Sequence, residues 1–345
     1  MGAAASGGGG DGVRVIVTAI DYHTAGEPFR IVNGGIGPIP GDTMLDKRRY
    51  ALEHLDDIRR LLVCEPRGHA DMYGCFLTEP VDEGADLGVL FFHNAGYSTA
   101  CGHGTIALAT AALETGMLPV VEPETSLALD VPSGRLPVVA TVTDGRVERV
   151  RFTNVPSFVF AERLDVATAR GAVTADLAFG GAFYAFVEAG SLGLEVTPPH
   201  VNDFITLGRE IKAAIESDRE VVHPLEPELR DVYGVIFWEE IERDPALRQR
   251  NVTVFADGEV DRSPCGSGTS ARLALLDKGG SLPRGETFVH GSVIGTEFEA
   301  RVLGDAQVGE YPAVVTEVSG SAHLTGFHQF VLRPDDPLGT GFLLR

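Results

Sequence analysis

The chain has 345 residues, 44% hydrophobic and 22% charged, with 28 basic and 49 acidic side chains for a formal net charge of −21. This is the composition of a soluble globular protein whose core needs no disulfide or metal staples, and the length favours roughly two domains. No segment gathers Lys and Arg into a basic face, so the acidic balance argues against nucleic acid and membrane surfaces as partners.

In chain order, residues 1–12 (MGAAASGGGGDG) are a Gly/Ala-rich tail with nothing to bury and are read as disordered. Gly2 and Ser6 fit a myristoylation pattern, but no polybasic second signal follows. There is no secretory signal, and no apolar run approaches the roughly 20 residues of a membrane helix, so a cytoplasmic location is expected. VRVIVTAID reads as a strand, and GGIGPIPG (34–41), broken by prolines, as a turn rather than a phosphate loop. Residues 48–63 predict an amphipathic helix with Leu52, Leu55, Ile58 and Leu62 on one face, and 87–93 (LGVLFFH) a strand. A small-residue helix runs from Gly102 to Thr115 and stops at Gly116. Short alternating strands with glycine turns make hairpins of 127–160, AFYAFVEA (182–189) is a strand, and 201–218 is a helix. YGVIFW and NVTVFA are strands that feed a further helix opening near residue 265, and three more strands close the chain. Many strands with few, well-separated helices predict an α+β fold, not a doubly wound parallel sheet.

The four cysteines, Cys64, Cys75, Cys101 and Cys265, form no C-x-x-C pair, which argues against a zinc module and a disulfide framework. Two of them share a local pattern. Cys101-Gly-His-Gly-Thr-Ile-Ala and Cys265-Gly-Ser-Gly-Thr-Ser-Ala both read C-G-x-G-T-x-A, and each opens a helix that closes at glycine (Gly116, Gly279). A helix N-terminus carries unpaired N–H groups and about half a positive charge, which favours a thiolate there. The glycines let a carboxylate approach the same N–H groups closely. Two such starts facing each other would set two thiols on opposite sides of one small anion. One thiolate would take a proton from the α-carbon while the other thiol delivers one to the far face. Cys64 and Cys75 fit the blander role of small buried hydrophobes. Asp261, four residues before Cys265, is a natural partner for a cationic amine, and equally a common kind of turn acid. Cys101 and His103 lack two further ligands for a metal, and none is expected. The lysines are Lys47, Lys212 and Lys278 alone, with Lys212 on a solvated helix face and Lys278 just before a helix stop. None is placed for a Schiff base, so no pyridoxal phosphate is expected.

GYSTACGHGTIAL (96–108) and DRSPCGSGTSARLALL (261–276) resemble the two signature segments of the proline racemase family. DYHTAGEPFRIV (21–32), PRGHADMYG (66–74) and GFHQFVLRPDDPLGTGFLL (326–344) extend the resemblance over nearly everything after about residue 13. That family includes proline racemase, 4-hydroxyproline 2-epimerase and trans-3-hydroxy-L-proline dehydratase. The resemblance implies a diaminopimelate-epimerase-like fold of two pseudo-symmetric α+β domains, each wrapping sheet around a central helix, with the active site in the cleft. Here the domains would be 13–135 plus about 326–345, and 136–325. It implies cofactor-free chemistry on a small imino acid, with Cys101 and Cys265 as the acid/base thiols. Gly102, His103, Gly266 and Ser267 would line the carboxylate site, and Asp261 with His103 would meet the ring amine. His23 and His69 match family positions without an assigned chemical step. Dehydratase members resemble one another in carrying Cys and then Thr at the two thiol positions, so Cys265 points to inversion. GYST before Cys101 and VFADGEVDRSP before Cys265 resemble dehydratase members instead, and Ala100 stands where Met is common. The expectation is an isomerase that inverts the α-carbon of proline or hydroxyproline, a 4-hydroxyproline 2-epimerase or a proline racemase. The alternatives are a trans-3-hydroxy-L-proline dehydratase and a non-catalytic imino-acid binder, and the resemblance leaves room for a homodimer.

Overall fold

A computed structural model describes residues 15–344; the N-terminal tail with Gly2 and Ser6 lies outside the described residues. The fold is α+β and diaminopimelate-epimerase-like, with eighteen strands in one hydrogen-bonded network. The strands form where the sequence alternates. In Gly134–Thr143, for example, Leu136, Val138, Ala140 and Val142 are buried while their neighbours face outward.

The order of elements occurs twice. Strand Val15–Thr24 turns through Ala25 and Gly26, both at positive φ as a two-residue hairpin loop requires, into Glu27–Gly34. Helices α1 (Met44–His54) and α2 (Asp56–Val63) then lead to Tyr73–Thr78, which lies parallel to Glu27–Gly34. Leu87–His93 returns antiparallel, and α3 (Gly102–Glu114) crosses to Glu124–Val131, parallel to Leu87–His93. In the second half α4 (Val201–Asp218) joins the parallel pair Phe183–Glu188 and Val232–Glu242. Leu247–Phe255 returns antiparallel, and α5 (Gly266–Lys278) crosses to Phe288–Ser292, parallel to Leu247–Phe255. Thus α3 and α5 occupy equivalent places.

Both of these helices are enclosed. Every residue of α3 from Gly102 to Leu113 is buried, as is most of α5, including Thr269, Ser270 and Arg272. A helix wrapped on all sides shows no apolar stripe, and small residues let the surrounding sheet close in. Arg272 is accommodated by stacking 3.7 Å over the Trp238 ring while its Nε donates to Gln249 at 2.8 Å.

Two pairings join distant stretches of the chain. The last strand, Ala322–Leu332, returns to pair with Val15–Thr24, and Arg146–Thr153 pairs with Tyr311–Gly320. Residues beyond 135 therefore hydrogen-bond toward both halves, since Gly134–Thr143 pairs with Glu124–Val131 and Arg146–Thr153. No helix among the described residues is long and apolar enough to cross a membrane.

The expected helix over 48–63 is two helices. It breaks at Leu55, whose backbone (φ −121°, ψ 6°) leaves the helical region. The break resets the helical phase, so Leu62 is buried while Leu52 is 52% exposed. The acids Asp56 and Asp57 mark the new N-terminus, where the helix dipole favours them.

Candidate active site

The N-termini of α3 and α5 meet head to head. A Cβ on Gly102 would stand 2.5 Å from the Gly266 Cα, a separation that only a pair of glycines permits. Cys101 and Cys265 are the residues immediately before these glycines, so the contact fixes how the thiols face one another.

Cys101 caps α3 with an extended backbone, and its Sγ accepts the Gly104 N–H at 3.2 Å. The His103 ring lies beside it, with Nε2 3.4 Å from the sulfur and Nδ1 3.8 Å from Asp261 Oδ2. Tyr73 and Phe29 pack edge-on against that imidazole and fix its plane. Cys265 holds the same place on α5 with φ at +63°, a left-handed conformation that costs a residue with a side chain about 1–3 kcal/mol. The surroundings hold it there. Ser263 Oγ accepts the Cys265 N–H at 3.1 Å, Asn251 Nδ2 donates to Pro264 O at 3.0 Å, and Thr269 Oγ1 donates to Cys265 O at 2.8 Å.

All seven residues singled out from the sequence, Cys101, Gly102, His103, Asp261, Cys265, Gly266 and Ser267, line one small cavity. Asp261 is buried there, and its Oδ1 also accepts the Ser263 N–H at 2.7 Å, so it is a turn acid and a site acid together. His23 and His69 are elsewhere: the His23 ring lies tilted against His323, centroids 5.1 Å apart, and His69 is exposed. Cys64 and Cys75 are buried, as expected, and lie outside the cavity.

Sequence reasoning missed the opposite wall. Tyr73, Tyr184, Tyr233, Thr253 and Phe255 complete the cavity. The Tyr73 hydroxyl is 2.5 Å from Ser98 Oγ and 2.9 Å from the Tyr233 hydroxyl, while Tyr184 is 2.7 Å from Ser267 Oγ. Tyr73 had a signal, since it belongs to the PRGHADMYG segment. Tyr233 and Phe255 sit on strands where aromatic residues look like core.

The electrostatics depart from the helix-dipole expectation. Burial pushes the Cys265 thiol up to about 12, reinforced by the Asp261 carboxylate, against the opposing pull of the Gly268 N–H and the Tyr184 hydroxyl. Cys101 is likewise raised by burial, with the Gly104 N–H acting in the other direction. Helix-end donors are thus present at both thiols, but desolvation outweighs them. Burial also lowers His103 to about 3, so the imidazole is neutral at ordinary pH. Asp261 is raised above the usual carboxylate range by burial, and Glu27, fully buried and accepting the Arg262 N–H at 2.7 Å, is raised by burial and by Asp261. The cavity is about 10 Å³, room for roughly one water. A ring-sized molecule enters only if the walls part.

The match to known proteins is extensive. The family model described as proline racemase matches residues 19–343. The chain belongs to the proline racemase family. A trans-3-hydroxy-L-proline dehydratase of Bacillus cereus is 49% identical over 333 residues, spanning 96% of this chain and 99% of that protein. A 3-hydroxyproline 2-epimerase of Burkholderia multivorans is 47% identical over 330 residues, 95% of this chain and 98% of that one. Among solved structures, a hydroxyproline epimerase from Agrobacterium vitis with bound trans-4-hydroxy-L-proline superposes with a TM-score of 0.89 at 36% identity, covering 96% of each chain. These relatives of the proline racemase family include a lyase as well as isomerases, built on one scaffold.

Proposed function

We propose that the protein is a cofactor-independent 2-epimerase acting on a hydroxylated proline. The observation that carries this reading is the convergence of two thiols, each at a helix start, on a single cavity. A one-base elimination has no need of the second thiol; inversion at carbon does.

In this reading the walls part, the substrate carboxylate settles against the N–H groups opening α3 and α5, and its ammonium faces Asp261. That positive charge offsets the burial that keeps the thiols neutral, so one loses its proton to solvent. The thiolate then removes the α-proton, and the developing enediolate is stabilised by the helix-end donors. The opposite thiol gives its proton to the other face of the α-carbon. One S–H bond forms as one breaks, and the enzyme ends with its thiol and thiolate exchanged. His103, neutral and lodged between Cys101 and Asp261, orients both. The hydroxyl chain Ser98–Tyr73–Tyr233 supports a hydroxylated ring rather than proline, because it offers a ring hydroxyl donors and acceptors in an otherwise buried wall.

A second reading is favoured by the similarity to a trans-3-hydroxy-L-proline dehydratase. There the same α-proton removal is followed by departure of the 3-hydroxyl as water, which carries off the proton that the first thiolate took, and the enamine rearranges to a pyrroline carboxylate.

Incubation in D₂O with trans-3-hydroxy-L-proline, trans-4-hydroxy-L-proline and L-proline separates these. Inversion with deuterium uptake at the α-carbon is expected, strongest with a hydroxylated ring. Pyrroline formation without inversion establishes the dehydratase, and no exchange with any of the three overturns both. Cys265→Ser is expected to slow inversion by a factor of 100 or more, roughly the contribution of a positioned acid or base; wild-type rates in that variant sink the two-thiol mechanism.

A further inference from the structure

The site presents a supply problem: a small carboxylate must reach it in a molecule of net charge −21. A cavity of about 640 Å³ adjoins the thiol chamber and shares Tyr233 with it. Ser98, hydrogen-bonded to Tyr73, is also on its wall, so the Ser98–Tyr73–Tyr233 hydroxyls form the partition between the large cavity and the small one. Three basic residues, Arg48, Lys212 and Arg230, face it against three acids, Glu228, Asp231 and Asp257, so it is formally neutral within a strongly acidic surface. The pairing is uneven. Glu228 is held by Arg49 at 2.7 Å and Asp231 by Arg230 at 3.6 Å. Lys212 Nζ donates only to the Ala256 carbonyl at 3.1 Å, and Arg48 only to the Tyr97 carbonyl, its shorter bond 2.7 Å. Neither is in an ion pair among the described residues. Lys212, expected on a solvated helix face, is instead half-buried on α4 and turned to this cavity, while Arg48 comes from α1 in the other half.

We infer that this cavity is an antechamber that takes small carboxylates, and that Lys212 and Arg48 hold the carboxylate there before it passes the tyrosine partition. The inference rests on the epimerase reading for the identity of the natural occupant, but the carboxylate site stands on its own geometry. Two cations outside any ion pair, set against one such acid, Asp257, leave an excess of positive charge in a concave, partly dehydrated wall, which raises the concentration of anions near it. Their placement on opposite halves of the molecule also makes the antechamber sensitive to the parting of the walls.

The three lysines make the test direct. The full-length protein is labelled with an amine-selective acyl ester, and the rate at Lys212 is followed by peptide mass spectrometry with exposed Lys278 as internal reference. Cyclopentanecarboxylate, which has the ring and the carboxylate but no amine, is expected to slow labelling of Lys212 on the order of fivefold and leave Lys278 unchanged. Neutral cyclopentylmethanol is expected to do nothing. Equal labelling with and without the carboxylate, or equal protection by the alcohol, overturns the antechamber. In kinetics, Lys212→Met keeps the aliphatic stem and removes the charge. KM for the imino acid is expected to rise about fivefold at low ionic strength, the loss falling on KM rather than kcat. Added NaCl should raise the wild-type KM more than that of the variant. Turnover with an unchanged KM in Lys212→Met removes the antechamber and leaves the epimerase reading intact. Protection of Lys212 without turnover of any imino acid keeps the antechamber and removes the epimerase reading.

Discussion

Asp261 meets two demands that pull apart. It must be ionised to hold an ammonium, yet it is buried beside Glu27 and the thiols, and burial lifts it above the usual carboxylate range. The sign of the consequence is fixed. Because the folded state binds the Asp261 proton more tightly than the unfolded chain, folding carries the full cost of this carboxylate at neutral pH and loses that cost as pH falls toward its ordinary value. Asp261→Asn is therefore expected to raise the melting temperature at pH 7.5, with a smaller gain near pH 4, while kcat/KM falls by a factor of 100 or more, as for a lost buried charge partner. The acid limb of the wild-type kcat/KM profile should lie at higher pH than an ordinary carboxylate gives. A limb unchanged in Asp261→Asn shows that another group controls it. Tyr73 supplies the matching test on the ring side. Tyr73→Phe keeps the edge-on support of His103 and removes one hydroxyl from the partition. The preference for a hydroxylated ring over proline should drop at least about tenfold, measured as the ratio of kcat/KM values. An unaltered ratio means that the ring hydroxyl is read elsewhere.

At the scale of elements, the contact between the first turns of α3 and α5 sets the spacing of the reaction. A Cβ on Gly266 would lie 2.7 Å from the Gly102 Cα, so Gly102→Ala or Gly266→Ala must push the two helix starts apart. Overpacking of this kind costs about 1–3 kcal/mol of stability, visible in thermal unfolding. Turnover should fall further than stability, by about 100-fold, because sub-ångström misplacement of reacting groups is penalised steeply. Gly190→Ala, where nothing lies within 4 Å of the added methyl, serves as the control and should leave both unchanged. This element pair was legible in the sequence because a cysteine, two glycines and a threonine at fixed offsets are a local demand of a helix start that approaches another backbone. The split of 48–63 was not, since helical periodicity continues through Leu55 and docking of α2 decides the break. The upward shift of the thiol pKa values is hidden from the sequence for a related reason. A helix start can be seen in sequence, whereas the depth at which it is buried is a property of the assembled sheet.

The whole molecule depends on its C-terminus reaching back. Ala322–Leu332 pairs with Val15–Thr24 along its length, from Val15 opposite Leu332 to Thr24 opposite Ala322, and it packs against α3. The residues beyond are clamped as well. Arg67 pairs with Asp336 at 2.5 Å and donates to the Val331 carbonyl at 3.0 Å, and Glu65 and Phe342 exchange backbone hydrogen bonds of 3.0 Å each. Val15–Thr24 carries Thr24, whose hydroxyl donates to the His103 carbonyl at 2.9 Å, so this seam runs straight to the site. A chain ending at residue 320 would leave that strand with an open edge and strip one wall from a helix that is buried all round. Such a chain is expected to lose cooperative unfolding, because an exposed sheet edge and an uncovered apolar helix favour association over a unique fold. Adding residues 321–345 as a separate peptide should recover a cooperative transition, and with it turnover, since the peptide restores the edge without altering either thiol. Wild-type cooperativity in the shortened chain would mean that the closing strand is an accessory and that the first half holds α3 in place without it.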